Sequence, residues 1–337
     1  MTAAAEIEAA RLLLERLGFT PEQLLQATAA TVPTVGEYIA TITSSMPHST
    51  LRVYGTYLQR IEDAWGERVL TEPTAPELRQ LAEQTKHNAI VRRNSRGGRS
   101  AAETLIAAAR YLYRRAEEDR YIRPDNNPAR QVAKPRRLAS TRRAISHSKL
   151  AEIVHVAATT GNDPHLDALL LRLHIETACR RCGALALRPK DLDPEQCLIF
   201  LREKGETVRW QPISPTLMQA FLNHIAERHP TPTIKTGPLL RYRNGQPVTR
   251  RRYDSLWNRI GQHLEWVARQ QISTHWLRHT TLTWVERHYS YAVARAYAGH
   301  TEPDSRSGQT ATYIRASVQE VADALAALTS EPHPLAA

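Results

Sequence analysis

Apolar residues recur every three or four positions through much of the first 120 residues, which is the period of an amphipathic α-helix. One such stripe consists of Leu51, Tyr54, Leu58, Ile61 and Trp65. A second consists of Leu105, Ala108, Ala109, Leu112 and Ala116. Narrow apolar stripes must face one another to leave water, so they predict a small helical bundle.

Three short motifs mark helix starts. Thr34-Val-Gly-Glu37 and Ser100-Ala-Ala-Glu103 match the capping box, in which a hydroxyl and a carboxylate satisfy free amides at a helix start. Ser317-Val-Gln-Glu320 has the same form and is predicted to open a last helix. Its apolar face would be formed by Val318, Val321, Leu325 and Leu328.

The second half of the chain mixes two periods. Asp167 to Leu187 is rich in apolar residues and predicts one helical stretch carrying Arg180. Leu198 to Arg202 and Thr207 to Ile213 are rich in β-branched and aromatic residues, and they predict a hairpin with Lys204 in its turn. The expected fold class is therefore mainly α with a small β-sheet: a helical domain followed by a mixed α/β domain.

Domain boundaries follow from composition. A chain of 337 residues is long enough for two domains. Pro124-Asp-Asn-Asn-Pro128 ends the helical pattern, and residues 129–144 are rich in arginine with little apolar period, as expected of an exposed linker. The sequence thus predicts a helical domain over residues 1–128 and a second domain over residues 145–337.

Neither a membrane span nor a signal peptide is evident, since no apolar run approaches the roughly 18 residues that cross a bilayer. We therefore expect a cytoplasmic protein. Its three cysteines suggest no disulfide framework. Cys179 and Cys182 have the spacing of a half zinc site, but no second pair follows, so packing as small apolar side chains is the favoured interpretation.

The formal net charge of +11 is concentrated in the middle of the chain. Residues 1–85 carry −5, residues 86–149 carry +12 and residues 150–337 carry +4. Such a block is either a solvated surface or a phosphate-binding stripe, and its position on two helix faces and the linker favours the stripe. Its candidate DNA-binding residues are Arg92, Arg93, Arg96, Arg99, Arg136 and Arg137. Tyrosines nearby, Tyr57, Tyr111 and Tyr113, are predicted to pack in the core instead.

Six residues in the second half could form one catalytic constellation. They occur in Thr177-Ala-Cys-Arg180, in the predicted hairpin, in His275-Trp-Leu-Arg-His279, in Ala298-Gly-His300 and in Thr312-Tyr-Ile314. The six are Arg180, Lys204, His275, Arg278, His300 and Tyr313. In that order, and over roughly residues 145 to 328, they resemble the tyrosine recombinases, the family of phage integrases and chromosome-dimer resolvases.

This resemblance implies a role for each residue. Tyr313 would attack a DNA phosphate, and its phenol oxygen would stay covalently bound to that phosphate until a DNA strand end attacks it and rejoins the strand. Arg180 and Arg278 would hold the phosphate oxygens, because a guanidinium is planar, permanently charged and able to grip two oxygens. His275 would accept the tyrosine proton and His300 would hold an oxygen or support proton transfer. Lys204 would protonate the departing 5′ oxygen.

The resemblance also implies the assembly. Residues 1–128 would be the core-binding domain that closes over DNA, and residues 145–337 the catalytic domain. Four protomers would act on two double-stranded DNA recombination sites through 3′-phosphotyrosyl intermediates, without a metal or nucleotide cofactor. The protein would serve a mobile element or dimer resolution, be nucleoid-associated, and could use an accessory DNA-bending or directionality factor. We expect the helix from Val318 to Leu328 to dock on a neighbouring protomer.

Two departures from the family pattern stand out. An acidic residue commonly follows the first arginine by three positions, but here that residue is Gly183. Support for Arg180 must then come from elsewhere, and Glu176 is the candidate. The stretch between His300 and Tyr313 is also longer than usual.

Three other functions remain open. One is a catalytically silent DNA-binding protein on the same fold, and another is a type IB topoisomerase, which shares the tyrosine chemistry. A zinc enzyme is the third, because His275 and His279 are four residues apart on a predicted helix. Trp276 stands where a zinc protease of that type has glutamate, which argues against it.

Overall fold

The structure is a computed structural model that describes residues 3–16, 32–89, 98–135, 142–203, 207–229, 237–300 and 316–336. The chain divides into two compact units, residues 1–139 and 140–337. Both are mostly helical among their described residues, and the second also contains a three-stranded antiparallel sheet. The predicted fold class is confirmed. The roles predicted for the two parts of the chain remain predictions.

Five α-helices and one short 3-10 helix form the described part of the first unit. They are α1 (Ala3–Arg16), α2 (Val35–Ser45), α3 (His48–Trp65), α4 (Ala75–His87), α5 (Arg99–Glu118) and the 3-10 helix Pro124–Asn126. Helices α2 to α5 surround one apolar core that includes Leu58, Ile61, Leu105 and Leu112, all nearly inaccessible to solvent. The two apolar stripes of the sequence therefore meet as predicted, and Tyr113 is buried with them.

The two capping motifs of this unit behave differently. Thr34 caps α2 through the predicted reciprocal bonds with Glu37. The prediction at Ser100 was wrong, because the N-cap of α5 lies two residues earlier, at Gly98, which has a φ of 76°. A left-handed backbone of this kind favours glycine, so the backbone conformation of Gly98 sets this helix start.

The second unit begins with a helical layer and a small sheet. Its elements in chain order are α6 (His147–Thr159), α7 (Pro164–Thr177), α8 (Arg181–Ala186), the 3-10 helix Pro189–Asp191, β1 (Leu192–Asp193), β2 (Leu198–Arg202) and β3 (Val208–Pro212). Strand β2 lies between β1 and β3, and in the β2–β3 pair Leu198 faces Pro212 and Arg202 faces Val208. The predicted hairpin is confirmed, whereas the short strand β1 was not foreseen.

Six helices complete the described part of the second unit. They are α9 (Pro215–Arg228), α10 (Arg250–His263), α11 (Glu265–Gln270), α12 (Thr274–His288), α13 (Tyr291–Tyr297) and α14 (Val318–Thr329). Three apolar clusters hold these elements together, and Leu170, Ile199 and Phe221 lie at the centre of the largest. Among the described residues, no helix is both long and apolar enough to cross a membrane.

The last helix packs inside its own domain. Ser317 and Glu320 form the predicted capping box at its start. Its apolar residues Val321 and Leu325 are buried in a cluster with Val285 of α12 and other residues of the second unit. We expected this helix to dock on a neighbouring protomer, but its apolar residues are covered within the chain. Deleting α14 would therefore expose a core of its own domain and could not be used to test docking alone.

Candidate functional site

Arg180 lies at a break between two helices, where the sequence predicted one continuous helix. Helix α7 ends at Thr177, and Ala178 adopts a left-handed conformation with a φ of 50°. That conformation is unfavourable for a residue with a Cβ, so surrounding contacts must hold it. Arg180 then becomes the N-cap of α8, with extended backbone angles. Its side chain is about one-third exposed and available to a ligand.

Arg278 supplies one of the contacts that hold this break. Its guanidinium donates from Nη1 to the carbonyl oxygen of Ala178, and from Nη2 to that of Ala298 at 2.7 Å. Arg278 is only 5% exposed. Burial lowers its pKa to about 10, with a further contribution from the charge of Arg180, so it stays protonated at neutral pH. One buried side chain therefore joins the turn before Arg180 to the turn before His300.

The two candidate histidines lie beside these arginines with exposed side chains. His275 lies in the first turn of α12, one turn before Arg278, and His300 follows the turn after α13. Partial burial, and then the positive charges of Arg142, Arg278, His279 and Arg180, lower the pKa of His275. Partial burial and the nearby arginines, with Arg278 and Arg180 first, lower the pKa of His300. Both imidazoles are thereby kept neutral and able to accept a proton near neutral pH.

Arg180 is hydrogen-bonded to Glu203, a carboxylate that was not among the predicted site residues. Glu203 follows β2, and its Oε2 accepts a hydrogen bond from Nη1 of Arg180 at 2.8 Å. Its Oε1 accepts a hydrogen bond from the backbone N–H of Arg180. The prediction that Glu176 supports Arg180 was wrong, because Glu176 is instead bonded to Arg172 and Ser214. Burial by itself would raise the pKa of Glu203, but the charge of Arg209 and the hydrogen bond from the backbone N–H of Arg180 lower it overall.

A third arginine completes this group. Arg209 of β3 donates to Oε2 of Glu203 at 2.7 Å and to the carbonyl oxygen of Thr177 at 3.4 Å. Its guanidinium packs so closely on Gly299 that a Cβ at that position would collide with it. Gly299 also has a φ of 68°, which glycine adopts without strain. The turn that carries His300 is therefore shaped by both its own glycine and Arg209.

The sequence contained a signal for Glu203. Side chains alternate between the two faces of a strand, so Glu203 shares the inward face of β2 with Ile199 and Leu201, which are fully buried. The backbone N–H of Glu203 bonds to the carbonyl of Thr207 and continues the ladder. A carboxylate on an inward face requires a cationic partner, and this alternation could have predicted the contact.

Several predicted site residues lie outside the residues that the structure describes. They are Lys204, Tyr313, Arg92, Arg93, Arg96, Arg136 and Arg137, and the long segment before Tyr313 is outside as well. Arg99 is described, and it is partly buried at the start of α5. Of the two cysteines beside Arg180, Cys179 is buried in the turn and Cys182 is exposed on α8. Burial raises the pKa of the Cys179 thiol to about 12, as expected of a packing residue.

This arrangement has the properties of an anion site with a proton acceptor. Arg180 and Arg278 offer N–H groups that are not used by the protein contacts described above, since each guanidinium has five. Fixed donors of this kind stabilise charge on a reacting phosphate more strongly than mobile ones. His275 and His300 add neutral imidazoles at the same place. The described residues can thus bind a phosphodiester and move a proton beside it.

Comparisons with known proteins concern the fold that carries this site. The structure is similar to a lambda integrase (75–356) dimer bound to a COC′ core site, with 13% identity, a TM-score of 0.60, and coverage of 80% of this chain and 96% of the other. It is also similar to the Tn1549 transposon integrase (aa 82–397) in complex with circular intermediate DNA, with 16% identity, a TM-score of 0.62, and coverage of 85% and 96%.

A third similar structure is the XerH site-specific recombinase bound to a palindromic difH substrate, with 14% identity, a TM-score of 0.59, and coverage of 82% and 76%. Because the sequence identities are this low, these similarities show a shared fold and nothing more. The comparison with curated proteins gave no match. Residues 143–320, more than half of the chain, match the model of the phage integrase family. The protein therefore belongs to the phage integrase family, and it has the fold of the tyrosine recombinases.

Proposed function

We propose that this protein is a site-specific tyrosine recombinase that cleaves and rejoins double-stranded DNA through a 3′-phosphotyrosyl intermediate. Tyr313 is the nucleophile, Arg180 and Arg278 bind the scissile phosphate, and His275 accepts the tyrosine proton. His300 supports the phosphate, and Lys204 protonates the 5′ leaving oxygen. The observation that carries the proposal is the meeting of two arginines and two histidines from three separated segments in a chain of this family.

The proposed assembly is a tetramer on two DNA sites. Among the similar structures is a lambda integrase tetramer bound to a Holliday junction. The same arrangement in this protein would allow strands to be exchanged in pairs, with bond energy conserved in the phosphotyrosyl link. Chromosomal or mobile-element DNA as substrate implies a cytoplasmic, nucleoid-associated protein. An accessory DNA-bending or directionality factor would act on the same complex.

Covalent capture tests the proposal. The wild-type protein is incubated with sheared host genomic DNA and denatured, and the DNA that remains attached is sequenced. A recombinase gives fragments that share one site, whereas a type IB topoisomerase gives fragments without a common site and relaxes any supercoiled plasmid. DNA binding without any covalent fragment would contradict the proposal and favour a silent DNA-binding protein.

The lowered pKa of His275 predicts the acid limb of the cleavage rate. A general base must be neutral, so cleavage slows as the pH falls through the pKa of the histidine. Because burial and neighbouring cations lower that pKa below 6.5, the ordinary histidine value, single-turnover cleavage should still exceed half of its maximum at pH 6.5 and fall to half only at a lower pH. His275→Ala should remove this limb and slow cleavage by at least about a hundred-fold.

A matched control for this pH profile is His165→Ala, which changes an exposed histidine of α7. The control should keep both the rate and the acid limb of the wild type. An unchanged acid limb in His275→Ala would contradict the role of His275 as the base.

The basic block predicts a change in the salt dependence of DNA binding. Replacing Arg92, Arg93, Arg96 and Arg99 with glutamine should weaken binding to all DNA sequences, and the slope of log K against log salt should fall by about one unit for each phosphate that is no longer neutralised. Fluorescence anisotropy over a range of salt concentrations measures the slope. Arg52→Gln with Arg79→Gln, at exposed positions outside the block, should leave it unchanged. An unchanged slope in the first variant would make the block a solvated surface.

A further inference from the structure

Glu203 places a fully buried carboxylate beside the phosphate-binding arginines. Its side chain is 0% exposed, while the side chains of its partners Arg180 and Arg209 are 33% and 10% exposed. A buried carboxylate is tolerated only when cations and hydrogen-bond donors satisfy it, and removing it would leave those cations unpaired. Glu203 is therefore the anionic centre of an otherwise cationic site.

The contacts of Glu203 orient Arg180 at two points. One carboxylate oxygen receives the backbone N–H of Arg180, and the other receives Nη1 of the same residue at 2.8 Å. The second oxygen also receives Nη1 of Arg209 at 2.7 Å. With its main chain and its guanidinium tied to one rigid group, Arg180 has few remaining rotamers. Its other N–H groups are then presented in a fixed direction.

The glycine at position 183 makes room for this carboxylate. A Cβ at position 183 would lie 3.0 Å from Cγ of Glu203, 3.3 Å from its Oε1 and 3.4 Å from the carbonyl oxygen of Arg202. The first distance is tighter than most real Cβ contacts, so the Glu203 side chain would have to move by a few tenths of an ångström even for a methyl group at position 183. Position 183 thus points at the volume that the Glu203 side chain fills. A carboxylate can reach Arg180 from position 183 or from position 203, but two side chains cannot share the space.

We propose that Glu203 is the positioning residue for Arg180, and that it supplies from the hairpin the carboxylate that the family pattern places at position 183, where this chain has glycine. Gly183 is the matching half of this exchange, because it leaves the volume free. The effect of Glu203 on DNA cleavage rests on the proposed function, whereas its effect on the orientation of Arg180 does not.

Moving the carboxylate tests the exchange. Glu203→Gln and Glu203→Ala should slow single-turnover cleavage of the captured site by about a hundred-fold, the cost of a misplaced catalytic group, with DNA affinity little changed. Gly183→Glu alone should also be impaired, because two side chains compete for one space. Gly183→Glu combined with Glu203→Ala should recover most of the rate. Glu265→Gln, at an exposed carboxylate of the same domain, is the matched control.

Rescue separates positioning from general stability. Recovery of the rate in the double variant supports the exchange. A folded double variant, judged by its melting temperature, that cleaves no faster than Glu203→Ala would overturn it. Wild-type cleavage in Glu203→Gln would overturn it as well.

A second measurement does not depend on cleavage and so keeps the inference apart from the proposed function. Side-chain ¹⁵N relaxation of the arginine Nε–Hε groups reports the order of Arg180 in the free protein, with Arg180→Lys identifying its signal. The signal should be rigid in the wild type and mobile in folded Glu203→Gln. An equally ordered Arg180 in that variant would overturn the inference, even if the wild type cleaves DNA. Failure of the wild type to cleave, with this loss of order still seen, would count against the proposed function alone.

Discussion

Replacing Tyr313 with phenylalanine is expected to reduce covalent attachment of the protein to DNA below detection while leaving DNA binding intact. Phenylalanine keeps the ring but lacks the oxygen that forms the phosphodiester with DNA, so no intermediate can accumulate. The effect should exceed that of any other single substitution, because the remaining groups only assist an attack that no longer occurs. Denaturing electrophoresis of protein incubated with a nicked DNA substrate containing the captured site measures the adduct.

Other tyrosines of the second unit provide the controls. Tyr291 is 59% exposed, and Tyr291→Phe should form the adduct at the wild-type rate. Tyr297 is fully buried, and its hydroxyl donates to the carbonyl oxygen of Glu176. Burial raises its pKa well above the ordinary value, so it is unsuited to attack. An adduct that persists in Tyr313→Phe would contradict the assignment of the nucleophile.

Arg278→Lys is expected to slow cleavage by about a hundred- to a thousand-fold, the usual effect of removing one preorganised donor from a charged transition state. Lysine keeps the positive charge but has a single ammonium group. It cannot bond to the carbonyl oxygens of Ala178 and Ala298 in the planar fork of a guanidinium and also face the phosphate. The turn before Arg180 and the turn before His300 would each lose a hydrogen bond from this side chain. Single-turnover cleavage, with DNA affinity measured in parallel, checks this expectation.

An arginine on the same helix is the control for this substitution. Arg287 is exposed near the end of α12, and Arg287→Lys should leave the cleavage rate unchanged. The melting temperature of Arg278→Lys shows whether it is folded. A folded Arg278→Lys variant that cleaves at the wild-type rate would contradict the proposed role of Arg278 in holding the phosphate.

Local patterns in the sequence were sufficient for the elements that carry most of the candidate site. The apolar and aromatic content of residues 198–213 predicted the β2–β3 hairpin, which the structure confirms. His275 and Arg278 lie on one helix, as their spacing predicted. Such features depend on neighbours within a few positions, so periodicity reports them well. The ordered motifs indicated the family, and the match of residues 143–320 to the family model confirms that resemblance.

Features that depend on distant contacts were missed. The break at Ala178 follows a run of residues with good helix propensity, and it is accompanied by a hydrogen bond from Arg278, which is 100 residues away in sequence. Strand alternation marks Glu203 as an inward carboxylate, but its proximity to Gly183, 20 positions earlier, is visible only in the tertiary structure. The capping motif at Ser100 predicted the wrong helix start, because the left-handed backbone of Gly98 places the N-cap there. Tertiary contacts override local preference at Ala178 and at the Glu203–Gly183 pair.

The most direct test of the central claim is to identify the residue that carries DNA after cleavage. The wild-type adduct would be trimmed with nuclease, digested with protease and sequenced by mass spectrometry. A nucleotide attached to Tyr313 through a 3′ phosphate is the result that the proposed mechanism predicts. A nucleotide on another residue, or unmodified Tyr313 in protein that binds and cleaves its site, would contradict it.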